Sequence, residues 1–445
     1  MAQPDPAWLA ELFAFMRIPS ISADPAHAAD VRAAGEWVCR FVHGAGGSCE
    51  LVEVNGNPIA VGEIRASENA ERAPTVLLYG HFDVQPPGSL ELWESAPFEP
   101  EVRDGWIYGR GAADDKGNLY LLLKAAELLA REGALPVNVR VACDGEEETG
   151  GDSIVHFLRA DERGADACLI FDGPMPSRGV PAFVIATRGV NYYHLRVRTG
   201  ERDLHSGLFG GAALNALHAL ATILAAVTAV PDELRAGAAA PAPEELAAWA
   251  ELDPGADVLA AQGARPADAC AAEELYVRTF AAPAVDVNGI RGGEAALQKT
   301  VLPVEAAANV SIRLAPGQDA AAIDAAFQRL LREAVPAGAD LEIERWALNP
   351  PGLVDPRAPA LRLALDAFER ALGTRPLLVR IGGTLPIVPA LAERGIAVVL
   401  SGFDVPEGNI HAPNERLLAE YVSLGVAAAR ETLLALGGLP VRSAA

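Results

Sequence analysis

The sequence predicts an α/β fold: a doubly wound, mainly parallel sheet whose chain is interrupted by an inserted, smaller α/β sandwich. Short apolar runs at 75–80, 137–144 and 166–172 alternate with helical segments of about 10–15 residues, which is the pattern of βαβ units. Near residue 189 the pattern changes to strict apolar and polar alternation, which is typical of antiparallel strands with one exposed face. The first pattern returns at residue 349, so one domain is split around another.

The individual elements follow from periodicity and from turn residues. Helices are predicted at 6–17, 28–44, 119–133 (ending at Gly133), 211–227, 319–334, 358–372 and 415–436. Further strands are predicted at 190–199, 309–316, 340–348, 376–380 and 396–402. The Ala/Pro/Glu-rich segment 228–275 predicts an irregular or helical insertion. The predicted domains are 1–188 and 349–445, which form one catalytic domain, and the inserted domain 189–348.

Composition limits the classes of function. The chain has 445 residues, is 51% hydrophobic, and carries 36 basic against 59 acidic residues, a net charge of -23. This charge repels phosphate backbones and anionic lipid, so neither nucleic acid nor a membrane is expected as a partner, whereas cations are attracted. The five cysteines are scattered without a CxxC pair, which favours neither a disulfide framework nor a thiolate zinc site. No signal peptide or membrane span is evident, so a cytoplasmic location is predicted.

Metal-ligating residue types follow several of the predicted parallel strands. His81 and Asp83 follow the first strand, an acidic triplet (146–148) follows the second, and Asp172 ends the third. His411 comes within a dozen residues of a later strand. Each feature alone is more often a surface group or a helix cap. Because the carboxyl ends of parallel strands meet at one edge of a sheet, these side chains are expected to converge there.

The segment 109–117, Gly-Arg-Gly-Ala-Ala-Asp-Asp-Lys-Gly, supplies further carboxylates. It does not fit a phosphate-binding loop, which needs Gly before Lys and Ser or Thr after it. Asp114 and Asp115 instead favour a divalent cation. Imidazole and carboxylate ligands without thiolate suit Zn²⁺, Mn²⁺ or Co²⁺. Two histidines and three or four carboxylates exceed one tetrahedral site but fit two metals that share a carboxylate.

Several stretches together resemble one enzyme superfamily. They are HFDVQP (81–86), ELWESAPFEP (91–100), GRGAADDKG (109–117), DLHSG (203–207), KTVLP (299–303) and SIR (311–313). The chain is similar to the two-metal aminoacylase and carboxypeptidase G superfamily, which includes acetylornithine deacetylase and succinyl-diaminopimelate desuccinylase. The resemblance is greatest to the branch of carnosinase and cytosolic non-specific dipeptidase. It implies a zinc-peptidase type of sheet and an inserted domain that acts as lid and dimerisation domain.

The resemblance implies a ligand for each metal position. His81 and Asp172 would bind the first of two divalent ions per subunit. Glu148 and His411 would bind the second, and Asp114 would bridge both, with a cis peptide bond after it. Zn²⁺ is the expected metal, with Mn²⁺ or Co²⁺ as alternatives.

The resemblance also implies catalytic roles. Asp83 would accept a proton from the ring of His81 and fix its tautomer. Glu147 would be the general acid and base that activates a water bridging the two metals. A shift of one position within the acidic triplet would exchange the roles of Glu147 and Glu148. His205 would donate a hydrogen bond to the oxyanion at the active site of a partner subunit, which implies a homodimer through the inserted domain.

The remaining implied residues concern the substrate. Arg313 and Thr300 would hold its terminal carboxylate, and Thr384 belongs to a Gly-Gly-Thr substrate loop. Without the motif, Arg313 would be interpreted as a cation on an exposed strand face. Val304 stands where relatives often carry Arg, so substrate-facing loops are expected to differ.

The sequence therefore predicts a dinuclear metallopeptidase that cleaves the amide bond of dipeptides or similar small peptides. The alternative substrate is an N-acyl or N-carbamoyl amino acid, hydrolysed at the same site. A third hypothesis is a binding or scaffold protein that kept the fold and lost catalysis, which the complete ligand set disfavours.

Overall fold

A computed structural model describes residues 4–440 of the chain. Within this range the backbone forms 18 β-strands and 13 α-helices, numbered here in chain order. The strands are β1 (Ser48–Val52), β2 (Ile59–Ile64), β3 (Thr75–His81), β4 (Glu101–Arg103), β5 (Trp106–Tyr108), β6 (Asn138–Asp144), β7 (Ala167–Phe171), β8 (Ala182–Thr187), β9 (Gly189–Arg198), β10 (Leu204–His205), β11 (Ala284–Gly292), β12 (Val301–Leu302), β13 (Glu305–Leu314), β14 (Asp340–Asn349), β15 (Gly352–Leu353), β16 (Leu377–Ile381), β17 (Ala397–Ser401) and β18 (Arg416–Leu418). The helices are α1 (Pro6–Met16), α2 (Ala28–Gly44), α3 (Lys116–Arg131), α4 (Ser153–Ala160), α5 (Ser206–Phe209), α6 (Ala216–Thr228), α7 (Asp232–Arg235), α8 (Pro243–Trp249), α9 (Gly255–Ala261), α10 (Ala320–Glu333), α11 (Pro359–Leu372), α12 (Ile387–Glu393) and α13 (Ala419–Leu436).

The chain divides into two compact units. The first unit contains the chain up to Ile185, Val354–Val379 and the chain from Ala390 onwards. The second unit contains Ala186–Leu353 and Arg380–Pro389. The roles of lid and dimerisation domain for the inserted segment stay predictions.

The first unit is built on a six-stranded sheet with the strand order β1-β2-β6-β3-β7-β17. β3 runs parallel to β6 and to β7, and β17 runs parallel to β7, whereas β1 and β2 form an antiparallel edge. The predicted mainly parallel sheet is thus confirmed. All five residues of β7 are buried, which is why its sequence ACLIF is continuously apolar.

Aromatic packing fixes helix α11 onto this sheet. The ring of Phe368 lies 4.8 Å from that of Phe183 and 5.8 Å from that of Phe171, both in edge-to-face arrangements. Phe403, which follows β17, also contacts Phe171 with a centroid distance of 5.6 Å. These rings join residues from both sequence segments of the first unit, so the segment before residue 186 and that after residue 353 share one core.

The second unit contains an antiparallel sheet with the order β11-β13-β9-β14. One face packs against α6 and α10 through an apolar core that includes Tyr193, Val310 and Phe327. The opposite face carries the alternate residues of β9, among them Tyr192 and His194. This one-sided burial accounts for the strict alternation in the sequence.

Some elements differ from the sequence-based expectation. The strands β1, β2, β4, β5, β8 and β11 were not predicted. The edge strands β1, β4 and β11 are half-exposed and lack a continuous apolar run, and β5 has only three residues. β8, in contrast, is buried along its whole length. The segment 228–275, predicted as an irregular or helical insertion, contains the short helices α7, α8 and α9. Helix α6 begins only at Ala216, because the side chain of Asn215 caps it by accepting a hydrogen bond from the backbone N–H of Leu217. Among residues 4–440 no helix is long and apolar enough to cross a membrane.

Candidate metal centre

The five predicted metal ligands come from five separate segments of the first unit. His81 ends β3, and Asp172 follows β7 directly. Glu148 lies in a single 3₁₀ turn, Glu147–Thr149, after β6. Asp114 precedes helix α3, and His411 lies in the loop after β17. The parallel strands β3, β6, β7 and β17 all end at the same edge of the sheet, which explains why residues so distant in sequence meet.

The ligand atoms form two groups that share one carboxylate. His81, Asp114 and Asp172 each offer a ligand atom within 4.8 Å of the others, and so do Asp114, Glu148 and His411. One oxygen of Asp114 (Oδ1) lies 3.0 Å from Nε2 of His81, and the other (Oδ2) lies 2.9 Å from Nε2 of His411. The peptide bond between Asp114 and Asp115 is cis, as the resemblance implied. Asp114 therefore points one oxygen into each group.

The donor set fits two divalent cations. It consists of imidazole nitrogens and carboxylate oxygens, which are the ligands that Zn²⁺, Mn²⁺ and Co²⁺ accept. Oδ2 of Asp172 is buried and has no hydrogen-bond partner among the described residues. A buried carboxylate oxygen without a partner is costly, and a bound cation removes that cost.

The pKa values in the site reflect its excess of negative charge. Burial, with repulsion from nearby carboxylates, raises the pKa of Asp172 to about 7 and that of Glu147 to about 8. Hydrogen bonds to Asp114 and Glu148 raise the pKa of His411 to about 10. Asp172, Glu147 and His411 thus hold a proton more tightly than usual. Asp114 is the exception: burial would raise its pKa, but the hydrogen bonds from His411 and His81 lower it. Divalent cations relieve the same excess and displace those protons.

Asp83 contacts both His81 and the acidic turn. Nδ1 of His81 lies 3.1 Å from the backbone oxygen of Asp83 and 3.4 Å from its carboxylate oxygen Oδ1. A proton on Nδ1 leaves Nε2 free to act as a ligand. The two carboxylate oxygens of Asp83 also accept hydrogen bonds from the backbone N–H groups of Glu147 (3.3 Å) and Glu148 (3.2 Å). Asp83 therefore orients both the ring of His81 and the acidic turn.

The three glutamates of the acidic triplet have different surroundings. Glu148 belongs to a ligand group, whereas Glu146 and Glu147 do not. Glu146 accepts hydrogen bonds from the backbone N–H groups of Asn57 and Ser153, which fixes the turn to neighbouring loops. Glu147 remains within electrostatic range of His81 and Asp172, whose charges influence its pKa.

The four predicted residues of the second unit lie in two pairs. Nη1 of Arg313 donates a hydrogen bond of 3.1 Å to Oγ1 of Thr384. His205 ends β10, and Thr300 directly precedes β12 of the same ribbon, where the N–H of Ser206 donates to the backbone oxygen of Thr300 at 2.9 Å. His205 is exposed, and its Nδ1 accepts a hydrogen bond from the N–H of Gly207.

Comparison with known proteins places the chain in a family. The model of the peptidase family M20/M25/M40 matches residues 77–435. The chain belongs to this family. Cysteinylglycine-S-conjugate dipeptidase of Corynebacterium striatum is 29% identical over 445 residues, covering 93% of this chain and 92% of the relative. Beta-Ala-His dipeptidase of Homo sapiens is 27% identical over 371 residues, covering 77% and 71%. The predicted resemblance to the carnosinase-type branch and the assignment as a metallopeptidase-type hydrolase are confirmed.

Solved structures share the fold of this M20 peptidase. Human carnosine dipeptidase 1 superposes with a TM-score of 0.80 at 24% identity, covering 97% of this chain and 96% of that chain. An M20 family metallo-carboxypeptidase from Sulfolobus solfataricus gives a TM-score of 0.84 at 24% identity, covering 98% and 100%. The predicted α/β architecture is thereby confirmed.

One residue essential to the geometry was not foreseen from the sequence of this M20 chain. Glu415 is fully buried, and its carboxylate accepts hydrogen bonds from the backbone N–H groups of Gly111, Ala113 and Asp114 at 2.9–3.1 Å. Nη1 of Arg110 pairs with the same carboxylate at 2.7 Å. Glu415 thus holds the loop that carries Asp114. Arg110 stood within a recognised motif, but no sequence signal linked it to a residue some 300 positions away.

Two further residues hold ligand-bearing segments in place. The side-chain amide of Gln85 donates to Oε2 of Glu148 at 2.9 Å, and its backbone N–H donates to Oε1 at 3.1 Å. Gly117 follows Asp114 at the start of α3, where an added Cβ would lie only 1.9 Å from the backbone oxygen of Ala112. Gln85 and Gly117 both lie in motifs of the resemblance, but the sequence did not predict that they hold these segments in place.

The substitution Glu415→Gln tests the support of the Asp114 loop. It leaves Arg110 buried without its counter-charge and turns one acceptor into a donor, so it is expected to lower the free energy of unfolding by about 3–5 kcal/mol. Glu407→Gln is the matched control, because Glu407 pairs with Arg178 at the surface and its loss should cost under about 1 kcal/mol. Urea unfolding of both variants measures the difference, and equal effects would contradict the assigned role of Glu415.

Proposed function

We propose that this M20 peptidase is a metal-dependent dipeptidase that hydrolyses the amide bond of dipeptides or similar small peptides. The observation that carries the proposal is the pair of ligand groups that share Asp114. The relatives whose names are dipeptidases support this substrate class, since two of them align with most of the chain. The proposal includes the cytoplasmic location that the sequence predicts.

The five ligand residues keep their predicted roles in the proposal. His81 and Asp172 hold one ion, Glu148 and His411 hold the other, and Asp114 contributes one oxygen to each. Zn²⁺ is the proposed metal, with Mn²⁺ and Co²⁺ as alternatives that the same ligands accept. When bound, such a pair of ions supplies Lewis acidity that polarises the amide carbonyl and lowers the pKa of the attacking water.

Glu147 is proposed to move the proton. Its carboxylate takes the proton of the attacking water and passes it to the departing amine nitrogen, so that the leaving group departs as a neutral amine. Its burial and its proximity to His81 and Asp172 support this role, because the buried carboxylate binds a proton more tightly than an exposed one. The backbone hydrogen bond to Asp83 keeps the residue in position.

The second unit is proposed to bind the substrate. Arg313 and Thr384 are hydrogen-bonded to each other, which presents a guanidinium beside a hydroxyl as a site for the terminal carboxylate, with Thr300 as a further contact. His205 is proposed to donate to the oxyanion that develops at the site of a partner subunit.

A homodimer formed through the second unit is part of the proposal. Apolar side chains are exposed next to His205: Leu208 (76% exposed) and Phe209 (44%) follow it in α5, and Val301 (39%) pairs with it across the β10–β12 ribbon. Exposed apolar side chains concentrated in one place are typical of a protein interface.

Glu147→Ala tests the proposed chemistry. The variant, loaded with Zn²⁺, Mn²⁺ or Co²⁺, should keep two ions per chain and lose about 10²–10⁴-fold in kcat on a dipeptide panel, because only the proton carrier is removed. Glu162→Ala, at an exposed position of the same unit, serves as the control and should retain activity.

Full activity of Glu147→Ala would contradict the mechanism. N-acetyl and N-carbamoyl amino acids in the same panel separate the two substrate classes. A preference for them over dipeptides would favour the alternative amidohydrolase function while leaving the metal chemistry intact.

Mixing a His205→Ala chain with a Glu147→Ala chain tests whether His205 acts across subunits. In a heterodimer, the site that retains Glu147 would receive the intact His205 of its partner, and the other site would lack both. Statistical mixing therefore predicts recovery of about a quarter of the unmodified activity. No recovery after confirmed subunit exchange would show that His205 does not complete a partner's site.

A further inference from the structure

Arg188, which links β8 to β9 in the second unit, has unused hydrogen-bonding capacity. The residue is only 6% exposed. Its Nη1 donates a hydrogen bond of 3.2 Å to the backbone oxygen of Thr279. Its Nε and Nη2 are buried and have no hydrogen-bond partner among residues 4–440. Buried guanidinium nitrogens are normally hydrogen-bonded, so the two unpaired nitrogens of Arg188 are available to bind a ligand.

The two unpaired nitrogens form one edge of the guanidinium plane. Nε–H and Nη2–H point in the same direction, and this edge matches the two oxygens of a carboxylate in a bidentate arrangement. The edge occupied by Thr279 lies on the other side of the group. The free edge therefore selects a planar anion rather than a single acceptor.

A second guanidinium lies close to Arg188. Burial, with the like charge of Arg313 as the next cause, lowers the pKa of Arg188 to about 10, so the group stays charged at neutral pH. Asp286 is the acidic group that opposes this effect. Two guanidinium groups against one carboxylate leave a surplus positive charge, which favours an anion at this place.

Arg188 and Arg313 both form hydrogen bonds to the same loop, residues 382–384. The backbone N–H of Arg188 donates to the oxygen of Gly383 at 3.0 Å, and Arg313 donates to Thr384 at 3.1 Å. The loop has space beside it, since a Cβ added at Gly383 would meet, within 4 Å, only Cδ1 of Ile381 at 3.8 Å. The loop therefore leaves open space at Gly383, the residue that is hydrogen-bonded to the backbone of Arg188.

We propose that Arg188 is a specificity-determining residue that binds the substrate's terminal carboxylate side-on, together with Arg313 and Thr384. The proposal deepens the proposed function and rests on it, since it assumes that Arg313 and Thr384 form the carboxylate site. Recognition by two guanidinium groups makes the free carboxylate a requirement for tight binding rather than a minor preference.

The test compares a dipeptide with its amide. L-alanyl-L-alanine and L-alanyl-L-alaninamide are titrated calorimetrically into metal-loaded Glu147→Ala chain, which separates binding from turnover. Adding Arg188→Met should weaken binding of the acid by about 10- to 100-fold, as expected for loss of charge-assisted hydrogen bonds, and leave binding of the amide unchanged. Adding Arg188→Lys should restore only part of the loss, because an ammonium cannot make the bidentate contact.

The control is Arg196→Met, which removes an exposed arginine of the neighbouring strand β9 that pairs with Glu342. It should change neither affinity. Thermal unfolding shows whether each variant is folded. If Arg188→Met does not fold, Arg188→Lys, which keeps the positive charge, replaces it in the comparison of acid and amide.

Three outcomes would contradict the inference, and only one of them also contradicts the proposed function. Equal weakening of acid and amide by the Arg188 variants would show a structural role and overturn the inference, while the proposed function stands. If Arg313→Met abolishes the tighter binding of the dipeptide acid over its amide and Arg188→Met does not, the carboxylate is bound by Arg313 alone. That result would also overturn the inference. Failure of the parent chain to bind either peptide would overturn the proposed substrate class and this inference together.

Discussion

The position of the Asp114 carboxylate is the constraint on which the candidate centre depends. Its two oxygens face two different histidines, and this arrangement exists only because the preceding loop is fixed by Glu415 from the far end of the chain. The buried pair of Arg110 and Glu415 is electrostatically demanding, since breaking it leaves an uncompensated charge. The second half of the split first unit thereby determines the geometry of Asp114, a candidate ligand in the first half.

Charge explains why the centre is suited to cations. The chain as a whole is acidic, but the carboxylates of the site differ from surface acids because they are buried and close together. Burial raises the pKa of Asp172, and one of its oxygens lacks a partner within the described part of the chain. Without a cation, the repulsion among these buried carboxylates lowers the stability of the folded protein. Cation binding removes that repulsion, so metal affinity is coupled to the stability of the fold.

The sequence predicted features that depend on topology and short motifs. The convergence of His81, Asp172 and His411 followed from the rule that parallel strands end at one edge. The hydrogen bond between Arg313 and Thr384 was not predicted. Contacts that depend on neither strand topology nor a motif were not predictable. Glu415 is a lone acid in a loop, and the unpaired edge of Arg188 is a property of packing, for which single-sequence patterns hold no signal. The edge strands β1 and β4 were missed because their half-exposed residues form no continuous apolar run.

The central claim is that two ions lie on either side of Asp114, and anomalous diffraction tests it most directly. Crystals of the zinc-loaded chain, measured on both sides of the zinc absorption edge, should show two anomalous peaks, one beside His81 and Asp172 and the other beside Glu148 and His411. Two metals that share a carboxylate are expected to lie about 3.5–4 Å apart. A single peak, or zinc bound away from Asp114, would contradict a dinuclear centre built on this residue.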